Sequence, residues 1–166
     1  MIFLTVGTHE QPFNRLVKYI DEMKRDGLID EEVVMQTGYS TYETKYCTWQ
    51  KLYPYQDIVK YIKEARIVIT HGGPSSFIAP LQIGKIPIVV PRKHKFGEHV
   101  NNHQVDFCRE VERRQGNIIF VEDVNDLKDI LLEYRNLTTK MQYNDKSNNE
   151  NFCREIDKIV EGIFTK

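Results

Sequence analysis

The sequence predicts an open, doubly wound α/β sheet, mostly parallel, followed by an amphipathic helix, and three observations carry that prediction. Short apolar runs rich in β-branched residues recur without alternation, as strands buried on both faces do. Apolar stripes at helical spacing fall between them. Strand-like and helical segments then alternate from residue 2 to about residue 134, the order that builds such a sheet.

In chain order, Ile2 to Val6 is the first strand. Phe13, Leu16, Val17, Ile20 and Met23 keep helical spacing, with Pro12 suited to the first helical turn and Gly27 to the stop. Val33 to Gln36 is the second strand. The tyrosine-rich stretch Gly38 to Trp49 fits neither period and reads as a loop with room for one short strand. Ile58, Val59, Ile62 and Ala65 form a second helical stripe before the strand Ile67 to Thr70. Ile86 to Val90 is the next strand, Val100, Phe107, Cys108 and Val111 a third stripe, and Ile118 to Val121 a further strand. Leu127, Ile130 and Leu131 supply the last stripe of a domain covering residues 1–135. A polar linker is expected over 136–151. Over 152–166, Phe152, Ile156, Ile159, Val160 and Ile163 restore a helical stripe, which suits packing on the chain's own sheet or docking on another chain.

Composition removes several functional classes. The 166 residues carry 23 Lys and Arg against 24 Asp and Glu, so no global field draws the chain to nucleic acid, and phosphate binding has to come from a local site. Three widely spaced cysteines, Cys47, Cys108 and Cys153, fit neither a disulfide framework nor a zinc knuckle, which implies a reducing, cytoplasmic compartment. The N-terminal apolar run is too short and lacks the basic lead of a signal peptide, and no stretch has the roughly 18 apolar residues of a membrane span.

Ligands of open α/β sheets bind beyond the carboxyl ends of the strands, so the loops there carry the functional reading. The first, Val6 to Phe13, follows a strand and opens a helix; Gly7 permits close backbone approach, Thr8 adds a hydroxyl and the helix start favours an anion. Its plainer reading is a turn. The second, Thr70 to Phe77, contains His71, Gly72, Gly73, Pro74, Ser75 and Ser76. Two glycines free to take positive φ, a proline suited to the first helical turn and two hydroxyls make a pyrophosphate cradle without a lysine; a serine-capped turn is the alternative. The third, Pro91 to Gln104, is dense in hydrogen-bonding side chains, among them Glu98, Asn102, His103 and Gln104, and suits a polyhydroxy ligand or a solvated basic loop. The fourth, Leu52 to Gln56, offers Tyr53 and Tyr55 to a flat base or to ordinary packing.

These segments together resemble the glycosyltransferase family 28 C-terminal domain. The resemblance rests on Thr5-Val6-Gly7-Thr8-His9 with Pro12 to Val17, on Gln36-Thr37-Gly38, on Ile69 to Ser76, on Gly84 to Arg92, and on Asn102-His103-Gln104. The similarity is strongest to small donor-binding subunits of split bacterial polysaccharide transferases and of the eukaryotic two-subunit UDP-GlcNAc transferase. It implies a Rossmann-like domain, the C-terminal half of a GT-B enzyme, that holds a UDP-sugar as substrate and needs no cofactor. It further implies a membrane-anchored partner subunit that binds the acceptor, a polyprenyl diphosphate carrying sugar, with this chain held at the inner face of the membrane. By position, Gly7, Thr8 and His71 to Ser76 would flank the diphosphate, Tyr53 to Gln56 would lie near uracil, and His103 with Gln104 would meet sugar hydroxyls. Ala79 stands where relatives carry a ribose-binding glutamate, so either the ribose is held otherwise, with Glu98 a candidate, or donor affinity is low without the partner.

The expected chemistry is metal-independent inverting transfer. Negative charge developing on UDP is met by backbone N–H groups and helix N-termini, and no acidic pair is placed to hold a metal. The base that takes the acceptor proton is expected on the partner, with His9 as the local substitute. Two other readings stay open: a non-catalytic subunit that stabilises a transferase, and a stand-alone UDP-sugar epimerase-like enzyme whose cleft a homodimer would complete.

Overall fold

The computed structural model describes residues 1–141 and Arg154; the rest of the expected linker and the C-terminal helix lie outside the described residues. Six strands form one sheet: β1 (Ile2–Thr5), β2 (Val33–Gln36), β3 (Thr48–Gln50), β4 (Ile67–His71), β5 (Ile88–Val90) and β6 (Ile119–Phe120). Their order is β3-β2-β1-β4-β5-β6 and every pair is parallel, with Leu4 opposite Met35 on one side and Ile69 on the other. Within residues 1–141 five α-helices cover it: α1 (Asn14–Arg25), α2 (Tyr55–Glu64), α3 (Pro74–Leu81), α4 (His103–Gln115) and α5 (Leu127–Lys140).

The pleat explains why the strand sequences lack alternation. Ile2, Leu4, Met35, Ile69 and Val90 pack on one face with Leu16, Val17 and Ile20 of α1 and Leu127, Leu131 and Tyr134 of α5. Phe3, Val34 and Val68 pack on the other with Ile62 of α2, and Val89 meets Phe77 of α3 and Cys108 of α4. Both faces are therefore apolar, as a parallel sheet between two helical layers requires. No helix among the described residues is long and apolar enough to cross a membrane.

The connection from β2 to β3 contains no helix, which is why its sequence keeps no period. It is held instead by Asp21 of α1, a fully buried carboxylate that accepts hydrogen bonds from the Tyr42 hydroxyl (2.9 Å) and the backbone N–H groups of Lys45 (3.0 Å) and Tyr46 (2.9 Å). This loop also shifts the start of α1. Phe13 N–H donates to Ser40 Oγ and the Asn14 side chain bonds Thr41 and Tyr42, so the helix begins at Asn14 and Pro12 lies outside it. Gly27 does end the helix, at φ +71°.

Two further boundaries differ from the sequence reading. Val100 belongs to no helical stripe: it is 69% exposed in the loop before α4. Helix α5 runs on to Lys140 through the first residues of the polar stretch, where Thr138 and Thr139 turn their hydroxyls back onto the carbonyls of Tyr134 and Arg135.

Candidate functional site

From β1 the chain winds outward to β2 and β3; from β4 it winds the other way. The carboxyl ends of β1 and β4 therefore part into a crevice, the place where open α/β sheets bind ligands. A cleft of about 590 Å³ opens there, with Thr5, Gly7, Thr8 and His9 from the first strand and its loop, and His71, Ser75 and Ser76 from the fourth. Gln36 and Gln104 line it as well. Tyr55, Ile58, Val59 and Ile62 of α2 and Ala79 of α3 make an apolar wall at one side.

The two glycine-bearing corners touch. A Cβ on Gly7 would lie 2.4 Å from His71 Nε2, and Gly7 has φ +74°, so glycine is required there by both conformation and space. In the second corner neither Gly72 nor Gly73 takes positive φ, contrary to expectation. Crowding is the reason for glycine there. A Cβ on Gly72 would meet Cys108 Sγ at 2.9 Å, and one on Gly73 would meet the His71 ring at 2.3 Å.

The structure also corrects the picture of bare backbone amides. Gly7 N–H donates to Thr5 Oγ1 (3.2 Å), Gly72 N–H to Gln104 Oε1 (3.1 Å) and Gly73 N–H to His71 Nδ1 (3.0 Å). The N–H groups of Thr8 and of Ser75, in the first turn of α3, have no partner among the described residues. Those two amides, with that of His9 in the first loop and the hydroxyls of Thr8, Ser75 and Ser76, are donors the corners can offer an anion.

His71 organises the second corner. Because Nδ1 accepts from Gly73 N–H, the ring proton sits on Nε2 and donates to Ser76 Oγ at 2.8 Å, leaving the Ser76 O–H free to donate elsewhere. Burial, aided by the positive charge of Arg92, pushes the His71 pKa down to about 4, so the ring is neutral near pH 7. His71 is thus a hydrogen-bonding part, not a cation.

The remaining predicted site residues separate into those the cleft includes and those it does not. Tyr55 stands at its edge, 79% exposed at the start of α2. Tyr53 does not line it: its ring is 8% exposed and packs edge-on against Tyr61 at 5.1 Å. Gln104 reaches the cleft, yet its Oε1 is committed to the N–H groups of Gly72 and Arg92, so it buckles two loops together. Asn102 accepts from His94 N–H, and His103 stacks on Phe107 at 6.0 Å; neither lines the cleft. Glu98 is no substitute for a ribose-binding carboxylate. It is 2% exposed, and both its oxygens are taken by Arg15 (2.9 Å each), with Lys93 N–H as a third donor.

His9 lines the cleft with its ring stacked on His99 at 4.9 Å and its Nε2 donating to Gln11 Oε1 at 2.9 Å, which leaves Nδ1 as an acceptor. Thr5 and Gln36 are site residues beyond those predicted: Gln36 Nε2 donates to Thr5 Oγ1 (3.1 Å) and Gln36 Oε1 accepts from Tyr53 N–H (3.1 Å). Their signal was available, since each is a polar residue closing an otherwise apolar strand. Among the described residues no group of three or more His, Cys, Asp or Glu side chains could hold a metal ion.

The model of the glycosyltransferase family 28 C-terminal domain matches residues 1–160. The chain belongs to this family. Among solved structures it is similar to the glycosyltransferase SnogD from Streptomyces nogalater, with 18% sequence identity and a TM-score of 0.48 over 84% of this chain and 39% of that one. This family 28 domain therefore spans well under half the length of that structure. No curated protein matches the chain.

Proposed function

We propose that this family 28 domain is the donor-binding part of a GT-B glycosyltransferase, with UDP-sugar held in the cleft between β1 and β4. The observation that carries the reading is the meeting of two strand-to-helix corners at one end of the sheet, close enough for a Cβ on Gly7 to strike His71. The cleft beside them has the two characters a nucleotide diphosphate needs. Uncharged donors gather at the corners, and the apolar wall of Ile58, Val59, Ile62 and Ala79, with Tyr55 at its rim, suits the flat base.

The chemistry follows from that placement. As the glycosidic bond breaks, charge develops on the leaving UDP, and the Thr8 and Ser75 N–H groups with the Thr8, Ser75 and Ser76 hydroxyls donate to it. The partial positive charge at the start of α3 acts in the same sense. With these donors on the leaving group no metal ion is needed there, and transfer is inverting: the acceptor hydroxyl attacks the anomeric carbon from the face opposite the departing UDP and gives its proton to the base. The acceptor, a polyprenyl diphosphate bearing sugar in exopolysaccharide or capsule synthesis, is bound by a membrane-anchored partner subunit that faces the cleft and supplies the base. Nδ1 of His9 is this chain's own candidate for that base.

The test is transfer of sugar from UDP-sugar to a lipid-linked acceptor by this chain, by the acceptor-binding subunit, and by both, with and without EDTA. The expected result is turnover only in the combined sample, unaffected by EDTA. Failure of this chain to bind UDP by calorimetry overturns the assignment of the cleft.

A further inference from the structure

The charge that a diphosphate needs is missing from the walls of the cleft. Among the described residues, none of those lining it is a lysine or arginine, nor an aspartate or glutamate, and His71 is neutral. A cation lies behind the wall instead. Arg92, which follows β5 by two residues, is the largest of the fully buried side chains at 0% exposure. Its guanidinium makes no ion pair among the described residues. Nη2 donates to the carbonyl of Val6 (2.9 Å), and Nη1 to the carbonyls of Gln11 (2.7 Å) and Glu98 (3.2 Å). Nε is buried without a partner among the described residues, and the Phe13 ring covers the group at 4.9 Å. The adjacent carboxylate, that of Glu98, is already held by both arms of Arg15.

The acceptors of Arg92 are chosen in a way that matters. Val6 and Gln11 are the two ends of the loop that carries Gly7, Thr8 and His9, so one guanidinium pins both ends of the first corner. The backbone N–H of the same residue donates to Gln104 Oε1, which also takes Gly72 N–H in the second corner. Arg92 thus ties the corners to each other. It remains protonated, since burial lowers its pKa only to about 10, and its charge is felt across the wall as part of what depresses His71. In surroundings of low polarity such a charge reaches further than it would in water.

We propose that Arg92 is a positioning residue for the donor diphosphate: it holds the Gly7 loop by both ends and gives the cleft its positive potential from within the protein, without touching the ligand. The proposal rests on the reading of the cleft as a nucleoside-diphosphate site. A merely structural arginine would affect all ligands alike, whereas a buried charge discriminates by ligand charge, and that difference supplies the test.

Calorimetry would compare UDP with uridine on the whole chain, for the wild type and for Arg92→Met and Arg92→Lys, with folding checked by circular dichroism. For Arg92→Met, UDP affinity is expected to fall about 30-fold and uridine affinity by less than about threefold. Arg92→Lys keeps the charge but cannot span both loop ends, so UDP and uridine affinities are expected to weaken together by about threefold with the preference for UDP kept; a preference lost as fully as in Arg92→Met would overturn the role of the charge. Equal losses for both ligands, or no loss for either, in a folded Arg92→Met would overturn the proposal. Should that variant not fold, Arg92→Gln, which also removes the charge, is read against the same outcomes. A wild type that binds neither ligand points to the cleft assignment itself, which separates the two failures.

Discussion

The two glycine corners look alike in sequence and are built on different principles. The corner after β1 depends on its backbone: Gly7 sits at φ +74°, Gly38 approaches it so closely that a Cβ there would lie 2.5 Å from the Gly7 carbonyl oxygen, and a buried arginine holds the loop by its carbonyls. The corner after β4 depends on side chains. His71 and Gln104 fold back to take the N–H groups of Gly73 and Gly72, and both glycines keep ordinary backbone angles. The difference teaches that a glycine-bearing strand-to-helix turn, here proposed to hold a diphosphate, need not be a row of open amides. Here the glycine amides are spent on holding shape, and the amides that stay open are those beside them, from Thr8 onward in the first loop and at Ser75 in the second.

That contrast can be broken most forcefully at the first corner. Gly7→Ala places a Cβ at positive φ, worth about 1–2 kcal/mol, and drives it into His71. A total loss of about 2–4 kcal/mol in urea unfolding, with UDP binding abolished, is expected. Gly73→Ala is the matched test of the second corner. Its backbone angles, φ −79° and ψ 129°, suit alanine, so the cost is limited to moving the His71 ring off its hydrogen bonds. About 1–2 kcal/mol of stability and about tenfold in UDP affinity are expected to be lost. If Gly73→Ala unfolds the protein as severely as Gly7→Ala, the distinction between backbone-built and side-chain-built corners is wrong.

The neutral state of His71 gives a pH signature confined to the second corner. Its pKa is about 4 in the folded chain against 6.5 for the free side chain, so the unfolded chain binds a proton that the folded chain refuses between those values. Stability therefore falls as the pH drops from about 6.5 toward 4, by on the order of 3 kcal/mol from this group, and is insensitive to it above about 7. His71→Asn removes that contribution, so wild type and variant should converge on acidification in urea titrations. Parallel curves would mean that His71 titrates normally.

The smallest effect is expected at the rim. Tyr55→Ala touches no core contact, and stability should change by no more than about 0.5 kcal/mol. Uridine affinity should weaken by a few-fold through lost stacking surface. An unchanged uridine affinity would move the base away from the start of α2.

What the sequence made legible was whatever repeats. Continuous apolar runs announced the five buried strands, because each strand faces a helical layer on both sides, and the helical stripes followed from the same core. Local corners were legible too, since Gly7 and the His71 to Ser76 segment occupy the only geometry a switch point offers. What was not legible was which of several neighbouring polar residues turns inward. Among Asn102, His103 and Gln104, Gln104 alone faces the cleft because α4 starts at His103, a phase that depends on Asn101 and Asn102 bonding backbone N–H groups nearby. Tyr53 and Tyr55 trade places for a similar reason: Tyr53 N–H is drawn to Gln36, which buries its ring, and the helix then presents Tyr55 outward. Glu98 read as a free acid because its partner, Arg15, lies far away in sequence on α1. Such pairings are decided by tertiary packing, and no local pattern contains them.

The most direct test of the central claim is a titration of the isotope-labelled chain with UDP, followed through backbone amide resonances. The amides of Thr8 and Ser75 should shift progressively and saturate together, while those of Gly72 and Gly73, already bonded to Gln104 and His71, move little. Shifts that cluster instead around Asn102 and His103, or saturation of one corner without the other, would contradict the account.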